Sequence, residues 1–163
     1  MPRTSKRSVK HDTIRLERHL KAPPQRVFAA WTDPDARRTW VSPVKGWEHL
    51  DEGMDFRVGG REIIHFGPQG DPHYKAEIHY LHIIPEQRIL MAGPMYDRDV
   101  PVSCSLTTIE FQPDAEGEGT KLVFTEQASF LDGKGTKKDR KAGWERNLDQ
   151  LDSYLSDERS DER

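Results

Sequence analysis

KKDRKAGWERNLDQLDSYL, residues 137–155, is the stretch that decides the fold. Within it Trp144, Leu148, Leu151 and Leu155 follow one another at intervals of four, three and four. That spacing places them on one face of a single amphipathic helix with a bulky aromatic at its centre. Such a helix needs a wide apolar surface to lie on. The preceding chain supplies strand-like segments in succession, which predicts a curved antiparallel sheet wrapped around the helix, with room between the two for a guest molecule.

Working back from the helix, residues 12–21 alternate Ile14, Leu16 and Leu20 with charged neighbours, the period of a strand with one wet face. Pro23-Pro24 breaks it. Val27, Phe28 and Trp31 then stand at helical spacing, and Thr32-Asp33-Pro34 stops that helix, because the residue before a proline avoids the helical region. Asp33 is placed to cap a second short helix with Pro34 at its first position, running through Arg37 to about Trp40 and ending at Ser42-Pro43. From Val44 the period changes to two. Residues 45–50, 55–66, 74–84, 87–92, 102–111 and 121–130 read as strands, bounded by turn residues such as Asp51-Glu52-Gly53, the 67–72 run and residues 114–119. Strands joined by connections this short are antiparallel. The order is α+β: a first strand, two short helices, six further strands and a long closing helix.

The length of 163 residues suits one domain with a real core. Its expected extent is residues 12–156. A basic arm over 1–11 and a charged tail over 157–163, the greater part of a doubled SDER that begins at Ser156, lack apolar periodicity. No apolar run matches a signal peptide or a membrane span, so the expected setting is cytoplasmic and soluble. A net charge of -3 gives no reason to expect a nucleic-acid partner. Cys104 is the sole cysteine, which rules out an intramolecular disulfide, and on a strand pattern it reads as a small buried hydrophobe.

Several signatures stand in a telling order: Ala22-Pro23, Val27-Phe28, Ala30-Trp31-Thr32-Asp33-Pro34, Trp40, Gly59-Gly60-Arg61, His82-Ile83-Ile84-Pro85-Glu86-Gln87-Arg88-Ile89, Gly119-Thr120-Lys121-Leu122, and Gly143-Trp144 with Leu148, Leu151 and Tyr154-Leu155. From about Ile14 to Leu155 the chain thereby resembles the START-like, or SRPBCC, superfamily. Within it, the nearest likeness is to bacterial domains related to the activator of the ninety-kilodalton heat-shock ATPase. The resemblance implies the helix-grip fold, a sheet of about six to seven strands around the C-terminal helix. It specifies function far less, since members of the superfamily bind lipids, sterols and polyketides, assist chaperones, or act as cyclases and hydrolases. Two departures stand out. Val41-Ser42-Pro43 follows Trp40 where a second tryptophan, glycine and proline are common, and Glu62 stands where an aromatic or apolar residue often follows the glycine pair and arginine.

In a helix grip, the concave face of the sheet and the closing helix line the cavity, and alternation predicts which residues face it. Ile64 and Phe66 bring Glu62 inward with them. Leu81 and Ile83 bring Glu77 and His79, Ile109 and Phe111 bring Ser105 and Thr107, and Leu122 and Phe124 bring Glu126. Ile89 and Met91 form an apolar wall under Trp144, and Trp40 stands at the mouth or in the core. The candidate ligand-binding set is Trp40, Glu62, Ile64, Phe66, His79, Leu81, Met91, Thr107, Phe124, Glu126 and Trp144. An apolar pocket with a few converging polar groups suits a small apolar or amphipathic molecule. No catalytic residue, cofactor or metal is assigned. His79 and His82 are three apart on a strand and point to opposite faces, and His65 with His82 lacks a third ligand. The leading expectation is non-enzymatic ligand binding. The alternatives are a chaperone-activator-like module that engages a protein partner and a cyclase or hydrolase using Glu62, His79 or Glu126. The oligomeric state stays open between monomer and homodimer.

Overall fold

Seven strands and three helices follow one another as β1 (Val9–Leu20), α1 (Pro24–Thr32), α2 (Pro34–Trp40), β2 (Trp47–Met54), β3 (Arg61–Pro68), β4 (Tyr74–Ile84), β5 (Arg88–Asp97), β6 (Val100–Pro113), β7 (Thr120–Leu131) and α3 (Lys137–Asp161). The structure is a computed structural model that describes residues 7–41, 43–115 and 117–161. The strands form one antiparallel sheet in the order β1-β7-β6-β5-β4-β3-β2. Strands β2 to β7 are successive hairpins. β1 instead runs along the last of them, with Val9 opposite Leu131 and Leu20 opposite Thr120. The α+β helix-grip layout expected from the sequence is the one observed.

Local chemistry explains the helical pair. Pro24 opens α1, Asp33 ends it, and the same Asp33 caps α2 by accepting the Asp35 backbone N–H on Oδ1 at 3.0 Å. Trp31 and Trp40 meet edge to face with centroids 4.9 Å apart, and the Trp40 indole N–H donates to the Ala30 carbonyl at 2.8 Å. Thr136 Oγ1 accepts the Asp139 backbone N–H at the start of α3. The stripe on α3 is buried as its spacing requires: Leu148, Leu151 and Leu155 join Ile14, Leu16, Leu20, Val27 and Trp31 in the core, where α3 packs on β1, α1 and α2.

Element ends depart from the expected bounds in informative ways. β1 begins at Val9, inside the expected arm, and α3 continues to Asp161, inside the expected tail. Residues 1–6 and 162–163, together with Ser42, expected to end the helical pair, and Glu116 in the 114–119 turn, lie outside the described residues. Asp51-Glu52-Gly53 is not a turn but a bulge within β2, where Asp51 faces Ile64, Gly53 faces Ile63 and Glu52 is the extra residue. The reversal falls instead at residues 55–60, expected as strand. Gly60 is required there, because a Cβ on it would lie 2.1 Å from the Asp55 carbonyl oxygen.

A second bulge matters more for the site. In β4, Tyr80 faces Met91 and His82 faces Leu90, which leaves Leu81 as the extra residue. Alternation cannot be carried back across such a point, since one inserted residue exchanges the two faces of the strand. Ile83 packs against the core, but the inward residues before the bulge are Ile78 and Tyr80. His79 and Leu81 therefore face outward, and Leu81 is 52% exposed.

Candidate functional site

Between the concave face of the sheet and the N-terminal half of α3 lies a half-open cavity of about 680 Å³. Its sheet wall is mostly apolar and comes from alternate positions on neighbouring strands: Trp47, Ile64, Phe66, Tyr74, Ala76, Ile78, Met91, Val102 and Phe130. Trp144 and Gly143 of α3 close it on the helix side. Trp144 is half-buried, packing on Phe124 at a centroid distance of 4.3 Å and stacking on Trp31 at 6.2 Å. At the β2–β4 side Tyr74 stacks on Trp47 at 5.8 Å and on Phe66 at 5.4 Å, so three aromatic rings stand together at the wall. Gly93 lets β5 approach β4 closely: a Cβ there would sit 1.8 Å from the Glu77 carbonyl oxygen.

Two ion pairs are built around this space. The first holds Arg37 between Trp31 and Trp40, with its guanidinium carbon 5.8 and 5.7 Å from the two ring centroids. Arg37 Nη2 donates to Glu62 Oε1 at 3.1 Å, and the Tyr80 hydroxyl donates to the same oxygen at 3.2 Å. Glu62 is only 1% exposed. Burial pushes its carboxyl above the usual range; the Arg37 guanidinium pulls against this, and neighbouring Asp51 adds to the rise. Burial likewise raises the Tyr80 hydroxyl and lowers His49. Arg37 and His49 reach the cavity wall, whereas Glu62 is spent on holding Arg37.

The second pair joins α3 to the sheet. Arg140 Nη1 donates to Glu126 Oε2 at 3.0 Å, and Nη2 donates to Ser103 Oγ at 2.8 Å. The Arg140 guanidinium carbon lies 5.2 Å from the Phe130 ring centroid. Glu126 is 4% exposed, and its Oε1 has no hydrogen-bond partner.

Of the residues expected to line the site, Ile64, Phe66, Met91, Thr107, Glu126 and Trp144 are brought together around the cavity. Trp40, Glu62 and Phe124 are buried behind its wall, in the core and its ion pair. His79 and Leu81 are corrected to the outer face for the reason given by the β4 bulge. This also separates His79 from Glu62 and Glu126, two other groups considered for acid-base chemistry. Arg37, Tyr80 and Arg140 were not anticipated by alternation. A signal for Arg140 existed, because it stands four residues before Trp144 and so extends the buried stripe of α3 by one turn. On the outer face His65 Nε2 lies 2.5 Å from Glu52 Oε1 and His82 accepts from Arg88 at 3.1 Å. Among the described residues no three potential ligands converge on a metal position.

The model of the family described as Activator of Hsp90 ATPase homolog 1-like protein matches residues 21–156. Among solved structures, a protein of Rhizobium leguminosarum is 40% identical, with a TM-score of 0.79 over 93% of this chain and 98% of that one. A Rhizobium loti protein is 37% identical, with a TM-score of 0.80 over 90% and 99%. A Chromobacterium violaceum protein is 30% identical, with a TM-score of 0.72 over 86% and 94%. No curated protein matches the sequence. Among the described residues no helix is long and apolar enough to cross a membrane.

Proposed function

We propose, for a chain that belongs to the family of Activator of Hsp90 ATPase homolog 1-like proteins, that it is a binding protein for a small apolar or amphipathic molecule held between sheet and α3. The observation that carries this reading is the half-open cavity of about 680 Å³ with its mostly apolar wall. Pockets of this size and lining bury most of the surface of a drug-sized guest, and a few polar groups orient it. Arg140, Glu126, Thr107 and Ser105 are among the polar groups on the β6–β7 side, and the Trp47, Phe66 and Tyr74 rings form the opposite wall.

The test is titration with an environment-sensitive apolar dye, read by fluorescence, in wild type and in a Gly143→Leu variant whose new side chain enters the cavity space. Saturable binding in wild type and its loss in the variant support the reading. No binding in either protein refutes it.

A second reading, a protein-interaction module, is favoured by the family description, and Leu81, exposed on the convex face, is a residue at which to test it. It predicts that Leu81→Asp abolishes partner capture while leaving dye binding intact.

A further inference from the structure

We propose that the rim of the cavity is a docking face for an anionic lipid bilayer, with the start of α3 as its basic half and Val44 and Trp47 as its apolar half. Lining residues that are also exposed mark where the cavity opens: Lys134, Asp139 and Arg146 on one side, Val44 and Trp47 on the other. Residues 134–146, which run from this rim into α3, carry six basic and two acidic side chains in a chain whose net charge is -3. Positive charge is thus gathered at the opening, against the sign of the molecule as a whole. Of the six, Arg140 is held by Glu126 and Lys141 lies 3.8 Å from Glu145. Among the described residues no carboxylate pairs with Lys134, Lys137, Lys138 or Arg146. Helix stability does not account for Lys137 and Lys138, because the positive end of a helix dipole favours acidic side chains in the first turn. Of the acids at the opening, Asp97 is taken up by His73 at 2.7 Å, which leaves Asp139 against the four unpaired cations.

Two chemistries side by side select the partner. A soluble anion would use the charge alone, and an apolar guest the wall alone. An anionic bilayer uses both: its headgroups meet the long lysine side chains, and its acyl chains meet apolar groups just beneath. Val44 and Trp47 are 37% and 36% exposed, and the Trp47 ring is backed by Tyr74, so an aromatic suited to a membrane boundary is held ready at the surface. Docked in this way, the opening faces the membrane, and an apolar molecule passes between bilayer and cavity without crossing water.

The experiment sediments the full chain with phosphatidylcholine vesicles and with vesicles of equal phosphatidylcholine and phosphatidylglycerol, at low and at raised salt. Binding to the mixed vesicles alone, weakened by salt, is expected. Replacing the three lysines together (Lys134→Gln, Lys137→Gln, Lys138→Gln) should weaken it about a hundredfold, since each basic residue near an anionic surface contributes about fivefold. Val44→Ser, which changes no charge, should weaken it several-fold. Arg15→Gln with Lys121→Gln, on the convex face, should bind as wild type does. Equal binding to both kinds of vesicle, unchanged binding in the lysine or the Val44 variant, or an equal loss in the convex-face variant overturns the proposal. So does complete displacement by inorganic phosphate at constant ionic strength, which would show a site for a free anion. Dye binding without vesicle binding leaves the cavity reading standing and overturns this one; vesicle binding without dye binding does the reverse.

Discussion

Replacing Glu62 by leucine tests whether this carboxylate belongs to the fold or to the ligand. Glu62 Oε1 lies 3.1 Å from Arg37 Nη2, and the two side chains are 1% and 6% exposed. Glu62→Leu leaves Arg37 with the Trp31 carbonyl, 3.3 Å from Nη1, the Tyr80 hydroxyl and the weaker field of Asp51, but without its hydrogen-bonded carboxylate, and its Nε already lacks an acceptor. Removing one member of a buried pair costs about 3–5 kcal/mol, because the surviving charge stays desolvated and unpaired. In a domain of this length that corresponds to a fall in melting temperature of roughly 6–20 °C. The double variant Arg37→Met with Glu62→Leu removes both charges, and should recover most of the loss, since apolar replacement of a whole buried pair is often neutral. Scanning calorimetry on wild type, both single variants and the double variant gives the coupling directly. A Glu62→Leu protein that melts with wild type, or a double variant no better than the single, would refute the reasoning.

Three further outcomes follow from the same geometry. Trp144→Ala removes the half-buried ring that packs on Phe124 and Trp31; it should cost about 3 kcal/mol in urea denaturation and widen the cavity, and an unchanged midpoint would show that the ring is dispensable. Gly143→Ala places a methyl where nothing lies within 4 Å and replaces a mid-helix glycine, so it should stabilise by about 1 kcal/mol, and a lowered denaturation midpoint would contradict this. Burial holds His49 below 6.5, so the fold binds its proton less readily than the unfolded chain does. Its contribution is full above 6.5 and is lost as pH falls through that value towards the depressed one; His49→Gln should flatten this part of the stability profile, and identical profiles would exclude the effect.

The closing helix was legible because four apolar residues at helical spacing leave one face to bury, and Leu148, Leu151 and Leu155 lie on it. The Asp33 boundary between α1 and α2 was legible for a similar local reason, a capping side chain followed by proline. The β4 face was not. A bulge at Leu81 is set by how Tyr80 and His82 register against Met91 and Leu90 on another strand, and nothing within β4 announces it. Glu62 was assigned to the correct face of β3, but its role was not, because the deciding partner, Arg37, lies on a helix whose docking only the folded chain reveals. Arg140 is the opposite case: its position on the stripe was readable, and its charge concealed it among solvated neighbours.

The pairing of β1 with β7 also governs the order in which structure can be acquired. During synthesis β1 leaves the ribosome with Ile14, Leu16 and Leu20 already in place, yet Leu20 waits for Thr120 and Val9 for Leu131. The hairpins from β2 to β7 close on neighbours in sequence and have no such delay. A nascent chain therefore carries an adhesive first strand for most of its translation. Closing the long loop between β1 and β7 carries a larger entropic cost than any of the hairpins, and until β1 docks the β7 edge is open to the first strand of another chain.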